Sequence, residues 1–167
     1  MLLRPASPLD LPRIISLERL PEARRYVGQW SDDHHARALS SPDARYYVHE
    51  DSNGVLQAYI ILLGFEQAPR SIEFKRFVVA QPGRGLGRRL LSELLRIVFD
   101  ETGAHRFFLD VVEDNLRARH LYTTFGFVEE GVMREATQRD GQWLSLVVMS
   151  ILDREYRIRI GVAPAGS

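Results

Sequence analysis

The stretch Phe77-Val78-Val79-Ala80-Gln81-Pro82-Gly83-Arg84-Gly85-Leu86-Gly87-Arg88-Arg89 runs from an apolar segment through alternating glycines into an amphipathic one. That is the pattern of a strand turning into a helix. The first backbone N–H groups of such a helix lack intrahelical partners and carry partial positive charge. They can cradle a diphosphate, and glycine lets the ligand approach the main chain closely. Arg84, Arg88 or Arg89 can add charge to the phosphates. Two nucleotide-binding frames are excluded by spacing: the stretch contains neither G-x-x-x-x-G-K-[ST] nor G-x-G-x-x-G. Read alone, it also suits an ordinary tight strand-to-helix turn.

Other chemistry is bounded by what the chain contains. It has 167 residues and no cysteine, so disulfides, thiolate nucleophiles and cysteine-ligated zinc are excluded. His34, His35, His49, His105 and His120 are scattered without an H-E-x-x-H frame, and no bound metal is expected. No G-x-S-x-G elbow is present. Lys+Arg and Asp+Glu each total 22, so a bulk attraction to nucleic acid or to an anionic membrane is not indicated. The first residues carry prolines and an aspartate rather than an apolar leader. The longest apolar run, residues 58–63, is far short of the roughly 18 needed to span a bilayer. A cytoplasmic location is the expectation, and the lack of cysteine fits a reducing compartment.

The elements that must hold the glycine turn follow from periodicity. A short strand at 2–4 precedes Ser7-Pro8-Leu9-Asp10, a helix start with a capping serine and an early proline. Leu11, Ile14, Ile15 and Leu17 form one helical face. Ser31 opens a second short helix toward Leu39. Strands are expected at 45–50 and 55–63, joined by Asp51-Ser52-Asn53-Gly54, and at 72–79. A helix follows from Leu86 to about Asp100, then a strand at 107–112. Asn115 opens the next helix, ended by Gly126, and two strands at 127–135 and 143–152 close the fold around a turn at Asp140-Gly141. The order βααβββαβαββ implies an α/β fold: a single mixed, mostly antiparallel central sheet flanked by helices. Residues 1–157 form the expected domain and 158–167 a flexible tail.

Pro82-Gly83-Arg84-Gly85-Leu86-Gly87 fills the frame [QR]-x-x-G-x-[GA], with Pro82 in place of Gln or Arg, and Asn115-x-x-Ala118-x-x-Leu121-Tyr122-x-x-x-Gly126-Phe127 fills N-x-x-A-x-x-L-Y-x-x-x-G-F. With these two motifs, one helix and one strand apart, the chain resembles the GNAT superfamily of acetyl-CoA-dependent N-acetyltransferases. The resemblance implies acetyl-CoA as cosubstrate and transfer of its acetyl group to a primary amine by direct attack in a ternary complex. A non-catalytic CoA-binding regulatory module on the same fold is the alternative.

The resemblance also distributes roles. The amides of Gly83, Arg84, Gly85, Leu86, Gly87 and Arg88 would hold the diphosphate. Phe77, Val78 and Val79 would pair with pantetheine as an added strand, and the N–H of Val78 or Val79 would bind the thioester oxygen. Tyr122 would face the sulfur as general acid. Asn115 would contact the CoA arm, or simply cap its helix. Glu73 is the candidate base. Strand alternation puts residues 73, 75, 77 and 79 on one face, so Glu73 would point with Lys75 and with the pantetheine-pairing residues. Arg24, Arg25, Tyr26 and Trp30 fall where the family builds its acceptor pocket. The acceptor stays open between a protein N-terminus, a polyamine, an aminoglycoside and an amino acid, with Glu18, Glu22, Asp32 and Asp33 as candidate contacts for a polycation. A homodimer is possible.

Overall fold

A computed structural model describes residues 1–67 and 70–162. Its elements are β1 (Arg4–Pro5), a 3₁₀ turn (Pro8–Asp10), α1 (Leu11–Glu18), α2 (Pro21–Tyr26), α3 (Asp32–Leu39), β2 (Ala44–Glu50), β3 (Leu56–Leu63), β4 (Ser71–Val79), α4 (Leu86–Arg96), a π turn (Ile97–Glu101), β5 (Arg106–Val112), α5 (Leu116–Thr124), β6 (Val128–Arg139), β7 (Gln142–Leu152) and α6 (Asp153–Arg159). Among the described residues no helix is long and apolar enough to cross a membrane.

The seven strands form one sheet in the order β1-β2-β3-β4-β5-β7-β6. Every pairing is antiparallel except β4 with β5. Each face of the sheet buries its own core. On one face α4, α5 and α6 pack through Leu90, Leu91, Leu94, Leu95, Tyr122, Phe125 and Tyr156 against Ile72, Phe74, Phe107 and Leu109. Leu90, Leu91 and Leu94 have no accessible surface, and each such burial contributes roughly 1.5–3 kcal/mol. On the other face Ile14 and Leu17 of α1 pack on Tyr46, Val48, Tyr59, Ile61 and Val78.

The sheet matches the expected class, and the differences have local causes. The segment Pro21–Tyr26 is a helix that the periodicity missed, because none of its six residues is buried and an apolar stripe is the signal that periodicity reads. Strand β6 does not stop at Glu135 but runs to Arg139. The register shifts between Met133 and Thr137, and Glu135 takes φ +49°, so a bulge there interrupts the alternation. A closing helix absent from the expected order, α6, runs from Asp153 to Arg159 and buries Tyr156, so a domain boundary at 157 cuts its last turn. The segment 163–167, expected as a frayed tail, lies outside the described residues.

One irregularity positions the site. Strands β4 and β5 pair in parallel only at Ser71↔Arg106, Ile72↔Phe107 and Glu73↔Phe108. Beyond that point β5 stays on β7 and β4 stays on β3. The two central strands therefore part, and a cleft opens between Phe74–Phe77 and Leu109–Val112.

Candidate active site

The cleft between β4 and β5 encloses about 100 Å³ and is lined by Phe74, Phe77, Asn115, Ala118 and Tyr122 on one side and by Tyr26, Gly28, Arg76 and Arg139 on the other. A wider pocket of about 430 Å³ lies alongside it, lined by Arg24, Arg25, Asp114, Asp140 and Gln142, and Arg139 belongs to both.

At the glycine turn, Gly83 and Gly85 have φ +90° and +79°, values an L side chain rarely adopts. A Cβ added at either would meet nothing within 4 Å. These glycines are needed for backbone conformation, and the space beside them is open to a ligand. Gly87 is different: a Cβ there would make ordinary contacts at 3.7 Å with Leu121 and Phe77. Gly85 caps α4, and the first bond back into the turn runs from Arg89 N–H to the Gly85 carbonyl at 3.3 Å. Among the described residues the N–H groups of Leu86, Gly87 and Arg88 therefore have no acceptor, as a diphosphate cradle requires. Arg84 is exposed, and the Arg88 guanidinium lies 5.5 Å from the Phe125 ring.

Strand β4 carries a bulge: Ile61 pairs with Arg76 and Leu62 with Phe74, which leaves Lys75 as an extra residue. The bulge overturns one expectation. Residues 73, 75, 77 and 79 do not share a face. Phe77 and Val79 pack with Ile72 and Phe74 on the side of α4 and α5, whereas Val78 lies in the core on the side of α1. Glu73 does point with Lys75, whose ammonium donates to it at 3.0 Å, but this pair lies on the face opposite Phe77 and Val79. Lys75 lines the cleft and Glu73 does not. The same strand turns the two candidate amides to opposite sides. Ala80 N–H donates to Gln57 of β3 at 2.8 Å, so alternation turns Val78 N–H toward β3 and the N–H groups of Phe77 and Val79 toward the cleft.

Helix α5 presents Tyr122. Asn115 is its cap, accepting the Ala118 N–H at 3.2 Å while also lining the cleft. The Tyr122 ring is wedged between Phe74, edge-on at 5.9 Å, and Phe127 at 5.6 Å. Among the described residues its hydroxyl has no hydrogen-bond partner, and it is not one of the buried unpartnered atoms; it opens into the cleft. Burial pushes this phenol above its ordinary range, so it stays protonated at neutral pH.

Glu18, a candidate polycation contact, lies instead in the interior at 1% exposure. It accepts the Trp30 N–H at 3.0 Å and the Tyr59 hydroxyl at 2.8 Å, with His35 Nε2 at 3.3 Å. Burial alone would raise its carboxyl, but hydrogen bonds from His35, Trp30 and Tyr59 hold it below the ordinary value. Asp32 pairs with Arg19 on the surface. Neither Glu22 nor Asp33 lines either pocket. Sequence reasoning missed Arg76, Arg139 and Asp110 as cleft residues. Their elements are far apart in the chain, and no local motif marks them.

Over residues 12–127 the chain matches the model of the acetyltransferase (GNAT) family. A spermidine N(1)-acetyltransferase of Vibrio cholerae is 32% identical over 113 residues, which span 67% of this chain and 65% of that protein, just under two thirds of its length. The L-amino acid N-acyltransferase MnaT of Escherichia coli is 30% identical over 105 residues, 60% of each chain. The crystal structure of spermidine N-acetyltransferase from Vibrio cholerae in complex with CoA and spermine aligns with a TM-score of 0.82 at 28% identity, covering 92% of this chain and 96% of that one. The family match contains both the glycine turn and the tyrosine-bearing helix, and the shared architecture extends over nearly the whole molecule: the chain belongs to the acetyltransferase (GNAT) family.

Proposed function

We propose that this protein transfers the acetyl group of acetyl-CoA to a primary amine by direct attack within a ternary complex. The observation that carries the reading is the Tyr122 hydroxyl, unpartnered by the described residues and open to the cleft where β4 and β5 separate. The free amides of Leu86, Gly87 and Arg88, with the open space at Gly83 and Gly85, suit the diphosphate. The exposed edge of β4 at Phe77 and Val79 suits pantetheine. Val79 N–H, on that edge, meets the charge that develops on the thioester oxygen. Tyr122 gives its proton to the departing sulfur; the apolar walls that raise the phenol also raise the proton affinity of a thiolate held beside it. Glu73 takes the ammonium proton through water, since it does not itself line the cleft.

The domain is read as running through the end of α6 at Arg159 rather than stopping at 157. A reducing, cytoplasmic setting belongs to the same proposal, resting on the absence of cysteine from the chain. So does a homodimer, for which the exposed Val132, Met133 and Trp143 on the β6–β7 hairpin offer apolar surface. The test is thiol release from acetyl-CoA across a panel of amines, read beside the melting temperature with and without acetyl-CoA. A shift in melting temperature without thiol release from any amine favours the non-catalytic CoA-binding module. No shift and no release sink both.

A further inference from the structure

We propose that Arg76 and Arg139 form a carboxylate-binding site in the acceptor half of the cleft, so that the acceptor is an amine that also carries an acid group, of the amino-acid class. The proposal rests on the acetyltransferase reading of the same cleft and narrows its substrate.

The two guanidiniums come from distant strands. Arg76 follows the bulge residue of β4, and Arg139 is the last residue of β6. Their Nη2 atoms converge on Gly28, lying 3.0 Å and 3.5 Å from the position a Cβ there would occupy. A side chain at 28 would crowd Arg76 and make ordinary contact with Arg139. Each arginine is held at the other end of its fork. Arg76 Nη1 donates to the Lys75 carbonyl at 2.9 Å, and its guanidinium lies 4.7 Å from the Trp30 ring. Arg139 Nη1 donates to Thr137 Oγ1 at 2.7 Å and to the Gln138 carbonyl at 3.2 Å. The Nη2 atoms have no hydrogen-bond partner among the described residues, and both Nε atoms are buried and unpartnered.

The charge balance points the same way. The Arg76 side chain is 10% exposed, with the Glu18 carboxylate 3.6 Å from its Nε. No carboxylate among the described residues lies within ion-pair distance of Arg139. Burial, and then the neighbouring Arg76, lower the proton affinity of Arg139. Two like charges held together in a partly dry site are unfavourable, and an anion between their free tips relieves both the repulsion and the lost hydrogen bonds. The two arginines at the mouth of the wider pocket differ, because each already has a partner: Arg24 with Asp140 at 2.8 Å and Arg25 with Asp114 at 3.3 Å.

A polyamine would need the opposite lining. Across both pockets, five lining side chains are cationic (Arg24, Arg25, Lys75, Arg76, Arg139) and three acidic. Asp110 is the one acid of the lining without an ion pair among the described residues, enough to meet a single ammonium. The named relatives do not decide the matter: at nearly equal identity, one acts on a cationic polyamine and another on an amino acid.

The test measures thiol release from saturating acetyl-CoA with the proteinogenic L-amino acids, their α-carboxamides and spermidine. At least one acid should react with kcat/KM roughly 10- to 100-fold above its own amide, since losing one hydrogen bond to a charged group costs about that factor. For that acid, Arg139→Gln should raise KM by a similar factor with little change in kcat, and Arg139→Lys should recover part of it. Calorimetric binding of the N-acetylated acid to the CoA-loaded protein gives a second readout, which the same variants should weaken. Reaction with amides or spermidine but not with acids overturns the carboxylate site and leaves the acetyltransferase reading standing. So does acetyl-CoA binding without reaction of any acid, or an acid-to-amide ratio unmoved by Arg139→Gln. Failure of acetyl-CoA to bind overturns the underlying reading itself.

Discussion

Lys75 donates to the Glu73 carboxylate at 3.0 Å on the face of β4 opposite Phe77 and Val79. The bulge at Lys75 shifts the alternation of the strand by one residue. Before it Ile72 and Phe74 pack toward α4 and α5, so Glu73 looks toward α1–α3; after it Phe77 and Val79 pack toward α4 and α5, and Val78 lies in the core on the side of α1.

For Glu73→Gln, a proton relay through water predicts a lower kcat that recovers in part at alkaline pH, where more of the amine is already neutral. The pair with Lys75 is partly exposed, so its loss should cost only about 0–1 kcal/mol of stability. A pH–rate profile beside the wild type checks this. Superimposable curves would remove Glu73 from the chemistry and leave it as the partner of Lys75.

Acetyl-CoA at about 100 times its Kd should stabilise the fold by about 2.7 kcal/mol. Gly85→Glu should abolish that stabilisation by placing bulk and negative charge against the diphosphate. Gly85→Ala is the control for backbone strain. No atom crowds the added methyl, so its cost should be that of a left-handed φ alone, about 1–2 kcal/mol. Thermal melts of the three proteins with and without acetyl-CoA separate the two effects.

Tyr122→Phe should lower kcat by about 10²–10⁴-fold on a verified acceptor. Its hydroxyl makes no hydrogen bond to the described residues, so the melting temperature should hardly move, with a stability change below about 1 kcal/mol. Affinity for acetyl-CoA should also persist, because the ring stays between Phe74 and Phe127. A variant with wild-type kcat would return Tyr122 to the core.

Tyr156 ties α6 to the π turn through Asp100 at 3.1 Å. Burial first, and then that hydrogen bond, push its phenol up to about 12. Because the folded value lies above the unfolded value of about 10, the fold favours the neutral phenol. Its stabilising share is complete below about pH 10 and is lost as pH rises toward 12. Alkaline denaturation of Tyr156→Phe beside the wild type should show a smaller loss in the variant, the rest coming from the other phenols that burial raises, Tyr59 and Tyr122 among them.

The sequence by itself determined the elements and the two motifs. Strand and helix periodicities are local, so the order of the central elements, the turn at Gly83–Gly85 and the capped helix bearing Tyr122 were all legible from neighbouring residues. Helix α2 was not, because none of its six residues is fully buried and it leaves no periodic trace. The facing of β4 was not, because a bulge depends on how Ile61 and Leu62 pair with the strand beside them. Glu18 looked like a surface acid until the fold enclosed it among His35, Tyr59 and Trp30. Arg76 and Arg139 stand 63 residues apart in the sequence and meet only where β4 has left β5 and the long β6 reaches over the cleft. Helices and turns are chosen by short-range sterics and hydrogen bonding. The charge of the acceptor site is chosen by which distant side chains the sheet brings together, and that sum exists only in the folded chain.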